Sequence, residues 1–275
     1  MKYFGTCAAL AISLLLLTPP ATAQVSVRSD LSDDREVTPG STYEGVIQVA
    51  NDTDEIQEAK IYQTDYRFYS DGSNIYGDPG QDERSNANWM RVSAPTITLP
   101  PHSTGTITYS VTVPEMLGGT PLEGSYWSMI MVEAVPKESP ESTINPETGE
   151  PEYALLQIMR YGVQVATHIS GTGKSEIALP ESGLERLDGG VVALRVIIEN
   201  GGSRMIRPEI WVELYGEDGS AVGRRDGVQS RIYPGTSINQ QIRLGELEPG
   251  KYRALVILDG GGDEVYGAEY TLALD

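Results

Sequence analysis

The chain has 275 residues, of which 39 are acidic and 20 are basic, giving a formal net charge of −19. Such acidity disfavours a nucleic-acid partner, because contacts to phosphate need a basic surface. Its 30 glycines and 17 prolines, against two phenylalanines and three tryptophans, indicate many turns and cores built from Val, Ile, Leu and Tyr.

Residues 1–23 have the pattern of a secretory signal peptide. Lys2 is followed by an apolar run over residues 8–17 and by Ala-Thr-Ala at 21–23. The run is too short to span a bilayer, and the small residues predict cleavage before Gln24. We therefore expect a periplasmic, secreted or cell-surface protein without membrane insertion after cleavage. The one cysteine, Cys7, would be removed, so the mature chain would depend on apolar cores without disulfides.

Alternating apolar residues predict strands from residue 25 onward. Val25 and Val27 belong to the first strand, and an Asp-rich turn follows them. Residues 43–49 and 59–69 form the next two strands. Residues 70–87 are rich in Gly, Asp, Asn, Ser and Pro, which is typical of a long loop.

Residues 88–133 predict the centre of a first β-sandwich. A period of two places one set of side chains on the inner face of a strand and the threonines and serine between them on the outer face. Pro114 ends this strand, and residues 125–135 form the next one of the meander. The inner set is Ile107, Tyr109, Val111 and Val113.

A loop, a long strand and a hinge complete the first unit. Residues 136–151 are rich in Pro, Glu, Ser and Thr and are expected to be a mobile loop. Residues 153–169 alternate as one long strand. The Ser-Gly-Thr-Gly segment at 170–173 is the expected hinge.

The second unit repeats this pattern. Its predicted strands are separated by short turns, with no helical period over any long window. The sequence thus predicts an all-β protein with two immunoglobulin-like antiparallel β-sandwich domains, at 24–171 and 174–275, after a cleaved signal peptide. The strands of the second unit are expected at 191–199, 209–215, 221–223, 237–244, 250–259 and 265–274.

The sequence contains no constellation that indicates catalysis. His102 lies in a Pro-Pro-His-Ser turn and His168 at the end of a strand, neither near a serine or carboxylate at a triad spacing. A zinc site would need more His or Cys, and the Gly-Lys-Ser at 173–175 lacks the leading glycine and the helix of a phosphate loop. We expect no enzyme activity, no cofactor and no metal site, while calcium dependence of the acidic loops stays open.

Arginines are concentrated in the second unit. If they converge, the acidic first domain or an acidic partner would dock there, and the alternative is that they are ordinary surface residues. The residues concerned are Arg204, Arg207, Arg224, Arg225 and Arg231.

These features together resemble periplasmic pilus-assembly chaperones and their chaperone-like relatives. The resemblance rests on three motifs: Val-x-Pro-Gly-x-x-Tyr at 37–43, Thr-Leu-Pro-Pro-His-Ser at 98–103 and the alternating strand at 154–165. The resemblance implies a protein that engages a pilus-type or other extracytoplasmic partner by β-strand pairing.

The resemblance also implies two kinds of partner-binding residue. The last strand of the first domain would donate its apolar side chains Leu155, Met159, Tyr161 and Val163. A basic pair would hold the partner's terminal carboxylate, for which the candidates are Arg28, Arg160 and Lys174.

Two alternatives stay open at this point. Residues 153–169 could instead be a core strand that is paired on both sides. The protein would then be a structural or adhesive component of the cell surface that uses its sandwiches as rigid spacers. Whether the strand has an open edge distinguishes the two functions.

Overall fold

The computed structural model describes residues 25–136 and 158–274. The predicted signal peptide, most of the predicted loop at 136–151 and the start of the predicted long strand, including Leu155, lie outside the described residues. Across the two described ranges, no helix has the length and apolar character needed to cross a membrane.

The first half of the chain folds into two packed sheets, which we call the first sandwich. One sheet has the strand order β1-β3-β8-β6, and the other has the order β2-β12-β11-β4-β5 with β7 beside β4. A small hairpin of β9 and β10 and a short 3-10 helix at Ala87–Trp89 complete it. Its strands are β1 (Ser26–Val27), β2 (Ser32–Val37), β3 (Thr42–Asn51), β4 (Gln57–Phe68), β5 (Asn74–Gly77), β6 (Met90–Val92), β7 (Thr96–Leu99), β8 (Ser103–Thr112), β9 (Met116–Leu117), β10 (Thr120–Pro121), β11 (Ser125–Ala134) and β12 (Arg160–Ile169).

The second half of the chain folds into two four-stranded sheets, which we call the second sandwich. In one sheet β15 lies between β18 and the short strands β13 and β14, and the other has the order β17-β16-β19-β20. A second 3-10 turn spans Asp188–Gly190. The strands are β13 (Ile177–Ala178), β14 (Ser182–Arg186), β15 (Val192–Asn200), β16 (Glu209–Gly216), β17 (Ala221–Asp226), β18 (Ser237–Gly245), β19 (Gly250–Asp259) and β20 (Val265–Leu274).

The period-two pattern places the core as predicted. Ile107, Tyr109 and Val111 of β8 are buried between the sheets of the first sandwich, whereas Thr106 and Thr108 are exposed. Each fully buried apolar side chain of this size contributes about 1.5–3 kcal/mol to folding. The all-β class is confirmed, and a second core of Val, Ile and Leu fills the second sandwich.

The first strand changes sheets, which the sequence did not predict. β1 pairs with β3, and the chain then crosses to the other sheet, where β2 pairs with β12. The predicted Asp-rich turn after Val27 is therefore wrong, because residues 32–37 form a strand. The β2–β12 ladder is also parallel, while the other ladders among the described strands are antiparallel.

A buried carboxylate organises the predicted loop at 70–87. Asp65 on β4 accepts the backbone N–H groups of Gly80, Gln81 and Asp82 at 3.0, 2.8 and 2.7 Å. These bonds satisfy backbone donors that would otherwise be costly to bury. The segment also contains the short strand β5, so it is more regular than the sequence suggests.

Two glycines allow the sandwiches to approach closely. Gly124, just before β11, has a φ of 74°, and a Cβ on it would lie 1.8 Å from the carbonyl oxygen of Ser203 in the second sandwich. Gly173 approaches from the connecting segment, and its Cβ would lie 2.6 Å from Gly124 Cα. Backbone therefore packs on backbone at this junction, where no side chain fits.

We predict that Gly124→Ala destabilises the protein far more than Gly119→Ala. Both glycines have positive φ, but a Cβ at Gly119 would meet nothing within 4 Å. Gly119→Ala should cost about 1 kcal/mol from backbone strain, and Gly124→Ala about 3 kcal/mol or more because the backbone must move. Urea unfolding measures both, and equal losses would contradict the close packing at the junction.

Candidate functional site

The candidate site is the edge of β12 that faces away from β11. β11 pairs with β12 along residues 160–168, whereas β2 covers the opposite side only from Gln164 to Ile169. Within the described residues, no strand pairs with that side of residues 160–163. The alternative of a strand paired on both sides therefore holds for the second half of β12 and not for the first.

The hydrogen-bond pattern shows which backbone groups face the open edge. Gln164 N–H donates to Leu31 O at 2.9 Å on the β2 side, and Ile169 N–H donates to Gly124 O at 2.8 Å on the β11 side. Strand residues alternate between the two sides. The N–H and C=O groups of Arg160 and Gly162 consequently face the open side, ready to pair with another strand.

Two of the four apolar residues predicted to be donated, Tyr161 and Val163, point toward the core. Val163 is only 2% exposed and belongs to the core of the first sandwich, and Tyr161 packs partly against it. Met159 is half-buried, and its carbonyl accepts Ala134 N–H at 3.3 Å. Leu155 lies outside the described residues. A strand added at this edge would thus first contact the outward-facing N–H and C=O groups. Tyr161, which packs partly against the core, would lie beside it.

Amide exchange along β12 should alternate. We expect Arg160 and Gly162 amides to exchange quickly, because their N–H groups face the open edge, and Tyr161 and Val163 amides to exchange slowly, because they pair with β11. Gln164 is the internal control, since its amide is bonded to β2. Residue-resolved NMR exchange measures this pattern, and uniform protection over 160–164 would rule out the open edge.

The three basic candidates lie in separate places. Arg28 pairs with Asp52, Arg160 pairs with Glu133 at 2.7 Å, and Lys174 pairs with Glu176 at 3.3 Å in the connecting segment. No contact in the described part of the chain joins any two of them. Arg160 is the one that adjoins the open edge, at the start of β12.

Two of the five arginines of the second unit dock onto β2. Arg231 Nε donates to Asp34 Oδ2 at 3.0 Å, and Arg204 Nη2 donates to Glu36 Oε2 at 2.6 Å. Arg204 Nη1 also donates to the carbonyl of Ile169 at 3.1 Å. Hydrogen bonds between a charged arginine and a carboxylate are shorter and stronger than those between neutral groups. The predicted convergence on the acidic first domain is thus found at these two positions.

A small apolar cluster joins the two sandwiches next to these ion pairs. The rings of Trp127 and Tyr233 stack with centroids 4.5 Å apart, and Phe68 meets Tyr233 edge-on at 6.3 Å. Ala166, on the outer face of β12, packs into the same cluster. Beside it opens a cleft of about 800 Å³ whose walls include Gln164 of the first sandwich and residues of the second.

His168 occupies a buried polar site at this junction. Its Nδ1 lies 2.8 Å from Ser125 Oγ, and its Nε2 lies 3.8 Å from Asp34 Oδ1. Ser125 Oγ also accepts Met205 N–H at 2.8 Å. Reasoning from sequence spacing missed this arrangement, because the three side chains come from three different strands.

The arrangement lacks the geometry of a catalytic triad. Ser125 is 0% exposed, so no substrate carbonyl can approach its oxygen, and the Met205 N–H already occupies a lone pair. In a working triad the histidine presents Nε2 to the serine and Nδ1 to the carboxylate, which is the reverse of the orientation here. No group of three or more His, Cys, Asp or Glu residues in the described ranges could hold a metal ion.

The ion pair at Asp34 predicts a pH dependence of stability. Partial burial raises the pKa of Asp34, but hydrogen bonding and charge from His168 and Arg231 lower it more, so the pKa falls from 3.8 to about 2. At 3.8 Å the His168 contact is too long for a strong bond, so Arg231 is the dominant partner. Because the folded pKa is depressed, the stabilisation is present above about pH 4 and is lost as the pH falls toward 2.

We expect Asp34→Asn to lower the free energy of unfolding by about 1–2 kcal/mol at pH 6, a value discounted for partial exposure. The difference from the parent protein should shrink to a few tenths of a kcal/mol by about pH 2, where Asp34 of the folded protein is half protonated. Asp226→Asn is the control, because Asp226 pairs with Arg224 with both side chains at least half exposed. Urea unfolding from pH 6 to 2 measures both variants, and a parallel pH profile for them would contradict the assignment.

Comparison with known proteins places pilus chaperones beside this chain. No family model matches it, and no curated protein matches it. Among solved structures it is similar to one described as a chaperone–tip adhesin complex in CFA/I fimbriae biogenesis, with 15% identity and a TM-score of 0.46 over 92% of this chain and 100% of that chain.

Further solved structures of the same kind match over nearly the whole chain. A class 5 fimbriae chaperone matches with 16% identity and a TM-score of 0.44, over 90% of this chain and 98% of that chain. The E. coli chaperone DraB matches with 14% identity and a TM-score of 0.41, over the same shares.

Proposed function

We propose that the protein is a non-enzymatic chaperone-like module that engages an extracytoplasmic partner by β-strand pairing at the open edge of β12. The single observation that supports this most is the unpaired side of residues 160–163, where the N–H and C=O groups of Arg160 and Gly162 face outward. β-Augmentation uses this feature: main-chain bonds supply affinity, and alternate side chains supply register.

The class of the partner follows from the expected location of the protein. The signal-like residues 1–23 support a periplasmic or cell-surface location, so the partner is an envelope protein such as a pilus-type subunit. Leu155, Met159 and Tyr161 are the proposed apolar contacts along the strand, whereas the fourth predicted residue, Val163, is buried in the core and its side chain does not reach a partner. Of the proposed carboxylate anchors, Arg160 lies nearest the open edge, but it is paired with Glu133, with which a partner's carboxylate would have to compete. Arg28 and Lys174 are the more distant candidates. We also take 24–171 and 174–275 as the two domains.

Strand pairing is testable with selected peptides. Peptides of about ten residues with alternating apolar positions are selected from a displayed library, and the tightest is synthesised. Its addition should protect the amides of Arg160 and Gly162 from exchange. N-methylation of one alternating set of peptide residues should abolish binding, and N-methylation of the other set should not, because only one set faces β12.

A matched pair of variants tests the protein side of the interaction. Arg160→Pro and Arg160→Ala both remove the guanidinium, but only proline removes the N–H that faces the open edge. We expect Arg160→Pro to bind the peptide about threefold to tenfold more weakly than Arg160→Ala, the worth of one hydrogen bond. Strand pairing would be refuted if the peptide left the amides of Arg160 and Gly162 unprotected and still bound after N-methylation of either alternating set of its residues.

The junction between the sandwiches supports a second candidate function, a rigid spacer in a surface structure. The ion pairs of Arg204 and Arg231 and the Trp127–Tyr233 stack hold the two units in one orientation. A spacer needs this rigidity and no open edge. Failure of the peptide experiments, with stability retained, would favour the spacer.

A further inference from the structure

A groove lies on the outer face of the first sandwich, directly beside the open edge. It has a volume of about 380 Å³, and its walls include Tyr62, Tyr76, Met129, Met131 and Gly162. Tyr62 and Tyr76 are 38% and 57% exposed, so both rings are accessible from solvent. The groove is thus lined mainly by aromatic and sulfur-containing side chains, with Thr64 and Arg160 as its polar members.

Gly162 keeps the groove open at its edge side. A Cβ at this position would lie 3.0 Å from the sulfur of Met129 and 3.3 Å from the sulfur of Met131. Gly162 shares the outer face with Arg160 and Gln164, since side chains alternate along β12. The same residue therefore supplies backbone groups to the open edge and space to the groove.

Hydrogen bonds hold one wall of the groove in place. Tyr62 donates its hydroxyl proton to Glu133 Oε2 at 2.8 Å, and Arg160 Nε lies 2.7 Å from the same oxygen. The Arg160 charge is thus matched by Glu133 and is not directed at an incoming charged group. A charged side chain in the groove would lose water without gaining a partner, whereas an apolar ring would not.

The chain itself shows how an aromatic residue covers a strand glycine. Gly45 and Tyr109 are cross-strand partners on β3 and β8. The Tyr109 ring lies over the glycine, with its Cζ 2.1 Å from where a Cβ would be. An aromatic residue opposite a glycine in this way restores the packing that the glycine lacks. Gly162 has no such partner on its open side among the described residues.

We propose that the strand that pairs with β12 carries an aromatic side chain opposite Gly162, and that this ring fills the groove. The inference rests on the proposed strand pairing and adds the residue class that the partner must present. Directly paired residues have Cβ atoms about 4.5–5.5 Å apart, so a ring at this position reaches over Gly162. There it lies beside the sulfurs of Met129 and Met131, which favour contact with aromatic rings, with the Tyr62 ring beyond them.

The test substitutes each outward-facing position of the selected peptide with Phe, Leu, Ala or Glu in turn. At one position only, the one that pairs with Gly162, we expect Phe to bind about tenfold more tightly than Ala and Glu to bind most weakly. Gly162→Ala partly fills the groove and should reduce the ratio of Phe-peptide to Ala-peptide affinity at that position from about tenfold to about one. Gly183→Ala is the matched control, because Gly183 lies on the edge strand β14 and a Cβ there would have room.

The outcomes separate this inference from the proposed function. If the peptide protects the amides of Arg160 and Gly162 but Phe, Leu and Ala bind equally at every position, strand pairing stands and the aromatic inference is wrong. Equal weakening of all peptides by Gly162→Ala would also overturn it. If no peptide protects those amides, both the proposed strand pairing and the aromatic inference are wrong. Should Gly162→Ala not fold, as judged by thermal melting, Met129→Ala provides a second test, because it removes one of the sulfurs that the ring would contact, and it should reduce the Phe preference several-fold.

Discussion

The crossing of the first strand from one sheet to the other is the constraint on which the candidate site depends. β1 pairs with β3 in one sheet, and β2 pairs with β12 in the other, so residues 28–31 make the crossing. β2 therefore reaches β12 only from Gln164 onward. A first strand that stayed in its original sheet would leave β12 an edge over its whole length, and an earlier crossing would cover it fully. The place of the crossing sets the length of free edge.

The second sandwich also covers only the second half of β12. Ala166 and His168, on the outer face of β12, are buried against Tyr233 and the segment near Met205. The second half of β12 is thus covered by β11, by β2 and by the other sandwich, while no described residue pairs with the edge of the first half beyond β11. Because the covered half is fixed by ion pairs and ring stacking, the free half is a rigid template. Pairing with a rigid template loses little conformational entropy on the protein side.

The sequence predicts the parts of the molecule that obey a local rule. Alternation identified the inner face of β8 and the long strands of both sandwiches, since burial on one side of a strand leaves a period of two. It failed for β2, whose Ser-Asp-Asp-Arg-Glu-Val has the composition of a turn. That segment is a strand because β12 supplies its ladder and because Asp34 meets Arg231, 197 residues away in the sequence. Sequence spacing carries no information on such a contact. In the same way, Gly162 only interrupts the alternating pattern of its strand in the sequence, and its role becomes visible when the structure places Met129 and Met131 beside it.

An open edge is also a hazard, because it can pair with any extended chain, including a second copy of the same protein. The acidic composition counters this. With a net charge of −19, two copies repel each other before their edges meet, although salt weakens the effect. Close to the edge the Arg160 charge is neutralised by Glu133, so the edge itself does not reject a strand by local charge. Self-association is thus opposed at long range by the whole surface, while short-range recognition is left to backbone hydrogen bonds and one groove. If the proposed strand pairing holds, surface acidity and a locally neutral edge act together, because they oppose self-association and leave the edge of β12 to a partner.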